Sequence, residues 1–70
     1  MLTYVVEVEH EDGTETVEGR FDTQREAEAF AREQILLAAA VWVSADDGYL
    51  NTVPLVCYSH FCGTVVREEV

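Results

Sequence analysis

The constraint that most limits how this chain folds is the alternation at its start. Leu2, Tyr4, Val6 and Val8 share one side of an extended segment, and Thr3, Val5, Glu7 and Glu9 share the other. A period of two is the signature of a half-buried strand. Asp12-Gly13 follows, a pair that favours the positive φ of a tight hairpin turn. Counting outward from a two-residue turn pairs Glu11 with Thr14, His10 with Glu15, Glu9 with Thr16, Val8 with Val17 and Glu7 with Glu18. Val6 then meets Gly19, Val5 meets Arg20, and Tyr4 meets Phe21. Val8–Val17 and Tyr4–Phe21 fall on one face, so turn and pattern agree.

Beyond the hairpin the period changes. Thr23 with Glu26 three residues later makes a capping box, and Ala27, Phe30, Ala31, Gln34, Ile35 and Ala38 form one stripe at helical spacing. Arg25, Glu26, Glu28, Arg32 and Glu33 take the wet side, where Glu28 and Arg32 pair at i,i+4. Ala-rich sequence carries the helix to residue 39 or 40. Val41 to Ser44 reads as a strand, and Asp46-Asp47-Gly48 as a turn. Leu50 to Tyr58 and Gly63 to Arg67 are the last strands, joined near Ser59-His60. Pro54 has no N–H to give a ladder and belongs at an edge or a strand start. The expected fold is α+β: a small antiparallel sheet with one helix packed on one face, in the order ββα followed by two or three strands.

Seventy residues make a single domain, residues 1–70, and a chain of that length buries only roughly 60% of its unfolded surface. The 49% apolar content and seven aromatics argue for a folded core. The longest apolar run, Ile35 to Val43, is about half the length of a membrane span. Met1 leads directly into strand-like sequence with no basic leader, and two cysteines without an export signal read as reduced thiols. The expected location is the cytoplasm.

Charge narrows the function classes. Fourteen Asp and Glu stand against four Arg and no Lys, a formal net charge of −10. Such a domain repels nucleic acid and anionic membranes and attracts basic surfaces. Salt-adapted proteins are acidic too, but Glu here outnumbers Asp ten to four, whereas such surfaces usually carry much Asp as well. The acids concentrate on the hairpin: Glu7, Glu9 and Glu11 sit about 6.8 Å apart along one face, Asp12 in the turn, Glu15 near the tip, and Glu18 across from Glu7. Like charges opposite one another on neighbouring strands are destabilising. Placing Glu against Glu therefore points to binding beyond folding, with a groove of Lys and Arg as the complement. Glu7, Glu9, Glu11, Asp12, Glu15 and Glu18 are the candidate partner-binding residues.

The short domain, the YVVEVEHEDGTETVEG hairpin (Tyr4 to Gly19), the FDTQREAEAFAREQ helix (Phe21 to Gln34) and the −10 charge together resemble, by type, small acidic proteins that phages and mobile elements use against host nucleases. These are the DNA-mimic inhibitors and many anti-CRISPR proteins. The resemblance implies a non-enzymatic inhibitor that blocks the DNA-binding path of a crRNA-guided surveillance complex in the host cytoplasm. The alternative function is a small adaptor that binds a protein partner through a sheet edge or an apolar patch, with the acids serving solubility.

Two further features bear on chemistry. Cys57-x2-His60-x-Cys62 supplies three zinc-type ligands, with His10 or a carboxylate as a fourth, but a structural site normally uses two separated pairs. The plainer reading makes the cysteines small apolar residues near a hairpin end, with His60 exposed in the turn, so no metal or cofactor is assigned. A disulfide between Cys57 and Cys62 requires that they face each other. A cysteine nucleophile would need an orienting group, an oxyanion hole and a pocket, and the four scattered glycines build no phosphate loop, so no enzyme is expected. Leu36, Leu37 and Trp42 cannot all point inward. Trp42 is assigned to the core, and Leu36 and Leu37 to its edge or to a homodimer patch.

Overall fold

A computed structural model describes residues 2–49 and 51–70. The order is β1 (Thr3–Glu9), β2 (Glu15–Phe21), α1 (Gln24–Gln34), β3 (Ala40–Asp46), β4 (Thr52–Phe61) and β5 (Thr64–Glu69), with one 3₁₀ turn, Ile35–Leu37, closing the helix. The five strands form an antiparallel sheet in the order β2-β1-β3-β4-β5. The fold is α+β, with one helix lying on the sheet.

α1 begins where the capping box puts it. Thr23 Oγ1 accepts from the Glu26 N–H at 3.2 Å and donates to Glu26 Oε1 at 2.8 Å. Its inner stripe, Ala27, Ala31 and Ile35, is at most 1% exposed and packs with Val6, Val8, Val41, Val43, Val56 and Tyr58. Two alanines at the closest approach let the helix settle low on the sheet. Phe30 and Phe21 close one side of this core, their ring centroids 5.3 Å apart. The α-helix stops at Gln34, earlier than the alanine-rich sequence suggests. There His60 Nε2 lies 2.9 Å from the Ile35 carbonyl and 3.1 Å from that of Ala38, and its N–H donates to these two carbonyls at the helix end, the first of which also accepts from the Ala38 N–H.

The first hairpin departs from the two-residue turn. The His10 N–H donates to the Thr14 carbonyl at 2.8 Å and the Gly13 N–H to the His10 carbonyl at 3.0 Å. The loop is therefore Glu11-Asp12-Gly13, three residues long, with Gly13 at φ 90°. This moves the near pairs by one: Val8 faces Thr16, Glu9 faces Glu15, and Glu7 faces Val17. A bulge at Glu18 absorbs the extra residue, and Val6–Gly19, Val5–Arg20 and Tyr4–Phe21 pair as counted. Val17 is accordingly 55% exposed rather than inward.

The second half also shifts. β4 runs to Phe61, and its turn to β5 is Cys62-Gly63, both at positive φ (50° and 78°). His60 is a strand residue, not a turn residue. The expected strand start at Leu50 lies outside the described residues. Pro54 lies on the part of β4 that runs past the end of β5, beside a second irregularity at Leu55.

Gly19 gives a stability prediction. A Cβ there would lie 2.8 Å from Phe21 Cε2, and Phe21 is held against Phe30. Gly19→Ala should cost about 1–3 kcal/mol, the usual range for overpacking, measured by urea unfolding. Unchanged stability would show that the ring moves aside freely.

Candidate partner-binding face

The helix covers one side of the sheet, and strand alternation sends every second residue to the other. That open face carries Thr3, Val5, Glu7 and Glu9 from β1, Ala40, Trp42 and Ser44 from β3, and Cys57 and Ser59 from β4. Glu15, Val17 and Arg20 join from β2, Asp46 from the end of β3, and Val66 and Glu68 from β5, and Arg20 is ion-paired with Asp46 on this face. One cross-strand row reads Val17–Glu7–Trp42–Cys57–Glu68; the next reads Glu15–Glu9–Ala40–Ser59–Val66. Val5 and Ser44 are 2% and 3% exposed yet stand outside the helix-side cluster. A cleft of about 230 Å³ opens here, lined by Glu7, Glu15, Trp42, Ser44, Thr52 and Pro54.

The six hairpin acids do not form one row. Glu7, Glu9 and Glu15 lie on the open face, Glu11 and Asp12 at the loop tip, and Glu18 in the bulge. The Glu7–Glu18 opposition inferred from the two-residue turn does not exist. Its place is taken by Glu9 opposite Glu15, so a destabilising like-charge pair persists one step along. Asp12 serves the loop itself. Its Oδ1 accepts from the Thr14 N–H at 3.0 Å and from Thr14 Oγ1 at 2.7 Å, which holds its carboxyl below the usual range. Trp42, expected in the core, is on the open face. Together with Glu68 it is a member of this face that sequence reasoning missed.

Arginines neutralise few of these acids. Among the described residues only Glu28, Asp46 and Glu69 form ion pairs with arginine, so eleven of the fourteen carboxylates have no such partner. All six hairpin acids are among the eleven. Arg20 is taken by Asp46 at 2.8 Å. Arg67 is taken by Glu28, its Nε donating to Oε1 at 2.6 Å, and the Tyr58 hydroxyl donates to the same oxygen at 2.7 Å. Glu28 is thus not the partner of Arg32 expected from i,i+4 spacing; Arg32 Nη1 donates instead to the Tyr58 hydroxyl at 3.5 Å.

The cysteine–histidine cluster separates. Cys57 points to the open face and His60 to the helix side, because they are three residues apart on one strand, and Cys62 sits in the turn. Both thiols are free, and among the described residues no three His, Cys, Asp or Glu side chains gather as metal ligands. Burial, then Glu68 and Glu9, push the Cys57 thiol up, which makes it a poor nucleophile. Among the described residues no helix is long and apolar enough to cross a membrane.

Comparison with protein-family models gives no match, and comparisons with curated proteins and with solved structures give none either.

The Glu28 cluster sets a pH dependence. The hydrogen bond from Arg67, reinforced by those from Tyr58 and Gln24, holds the Glu28 carboxyl down at about 2 from 4.5. A depressed carboxyl contributes stability above its unfolded value that is lost as pH falls toward the folded one. Stability should therefore decline between pH 4.5 and 2. Glu28→Gln should lose about 1.5–3 kcal/mol near neutrality, the range for a charged hydrogen bond, and flatten that decline. Chemical denaturation across this pH range checks both, and identical profiles would remove Glu28 from the acid response.

Proposed function

We propose that the protein is a non-enzymatic inhibitor whose acidic hairpin and open sheet face occupy the basic nucleic-acid-binding surface of a host defence complex, in the manner of anti-CRISPR and DNA-mimic proteins. The observation that carries this reading is the absence of arginine partners for all six hairpin carboxylates among the described residues, since Arg20 on the same face is taken by Asp46 and Arg67 by Glu28 and Glu69. Charges left unneutralised on a rigid hairpin keep their full field for an incoming basic groove, which speeds encounter and makes binding salt-dependent. The Glu9–Glu15 opposition adds support, since a basic partner relieves a repulsion that folding alone does not. In this reading the target is a protein, not nucleic acid or membrane, and the site of action is the cytoplasm.

A second reading rests on Leu36 and Leu37, which are 71% and 90% exposed. These side chains suit an adaptor or homodimer contact, which salt would leave largely unchanged.

The test uses the chain as bait in lysates of bacteria carrying CRISPR systems. A nucleic-acid-binding complex should be captured at low salt, released at high salt and displaced by DNA. The triple variant Glu7→Lys, Glu9→Lys, Glu15→Lys should bind at least about tenfold more weakly, a change of roughly 1.4 kcal/mol, while its circular dichroism stays native. Capture that survives the triple change, or that ignores salt and DNA, would contradict mimicry and favour the adaptor.

A further inference from the structure

The cleft on the open face combines groups that the net charge alone does not explain. Glu7 and Glu15 stand on its hairpin side, and Trp42, the sole tryptophan of the chain, on its β3 side. Ser44 belongs to the same lining although the residue is only 3% exposed. Its cross-strand neighbours Val5 and Pro54 offer it no polar side chain. No fully enclosed side-chain nitrogen or oxygen among the described residues lacks a hydrogen bond, so the unpartnered Ser44 hydroxyl opens into the cleft. The cavity thus presents an aromatic ring, two carboxylates without arginine partners and a nearly buried acceptor without a donor.

We infer that this cleft receives one arginine side chain from the basic partner, with the guanidinium against Trp42 and its N–H groups donating to Glu7 and Ser44 Oγ, while Glu15 adds its negative charge from the hairpin end of the cleft. The inference rests on the reading that the acidic face binds a basic protein surface, and it names the anchor of that contact. The chemistry excludes the other simple occupants. An anion meets two carboxylates, and an apolar group leaves those carboxylates and the serine unsatisfied. A metal ion would find only two charged ligands in this lining. Between the two basic side chains, guanidinium is planar, stacks on aromatic faces and carries five donors in a fixed fork, whereas ammonium is a compact, strongly hydrated point. Two separated acceptors, Glu7 and Ser44, beside an indole suit the former. Arginine anchors in central pockets also carry a disproportionate share of interface energy, so one such pocket within a wide acidic face gives register to an otherwise diffuse attraction.

The probes are hexa-arginine and hexa-lysine peptides, titrated separately into the ¹⁵N-labelled protein at matched ionic strength. Hexa-arginine should shift the Trp42 indole N–H and Ser44 amide resonances and bind about tenfold more tightly than hexa-lysine. Ser44→Ala should reduce that preference severalfold, and Trp42→Leu should abolish it. Glu11→Gln, at the loop tip outside the cleft, should leave the preference intact. If Trp42→Leu fails to fold, Ser44→Ala and Glu7→Gln, each expected to lower the preference severalfold, carry the test. Equal affinity for both peptides with an unmoved indole resonance would overturn the pocket while leaving the basic-surface reading standing. Binding of neither peptide would overturn the pocket as well, and the triple-lysine capture decides the wider reading separately.

Discussion

One helix against five strands is the constraint on which the rest of the structure depends. An 11-residue helix is about 16 Å long and about 10 Å across, whereas five strands span about 19 Å at their usual spacing. α1 therefore covers one face, with Ala27 and Ala31 bringing it close enough to seal Val6, Val43 and Ile35 from water. Nothing in the described chain forms a second layer. The other face is completed by its own side chains, with Val5 and Ser44 sunk between strands and Trp42 half-buried among them. The surface through which we propose the protein binds is a direct consequence of that asymmetry.

Polar networks divide along the same line. On the helix side, Glu28, Tyr58, Arg67, Gln24 and Arg32 satisfy one another, tying α1 to β4 and β5. His60 makes a comparable tie at the end of the helix. Arg67 is thereby committed to internal order. The hairpin and open face carry one cation, Arg20, which Asp46 takes, and Glu7, Glu9, Glu15 and Glu68 there have no arginine partner among the described residues. A small domain tolerates this because the repelling groups are solvated and spread over β1, β2 and β5.

How much of this was legible in the sequence depends on parity. Thr23 and the Ala27–Ala31–Ile35 stripe announce the helix because capping and periodicity are local properties. The hairpin was legible at its far end, Tyr4–Phe21, and misread near its tip, since Asp-Gly serves a three-residue loop as readily as a two-residue one. Only the bulge at Glu18 reconciles the two counts, and no single residue there announces it. Trp42 alternates with Val41 and Val43, which face the helix, so strand parity puts it on the opposite face and not in the core. The same parity separates Cys57 from His60. The cleft itself was not legible, because Glu15, Ser44 and Pro54 meet only once strand order is known.

The most direct test of the account is carbodiimide footprinting of the carboxylates, read by mass spectrometry, on the protein alone and in the complex it captures. Glu7, Glu9, Glu15 and Glu68 on the open face should be protected, with Glu33 on the helix and Asp22 in the bend before it labelled equally in both states. Protection confined to the helix side, or to the 3₁₀ turn region around Leu36 and Leu37, would place the partner elsewhere and contradict it.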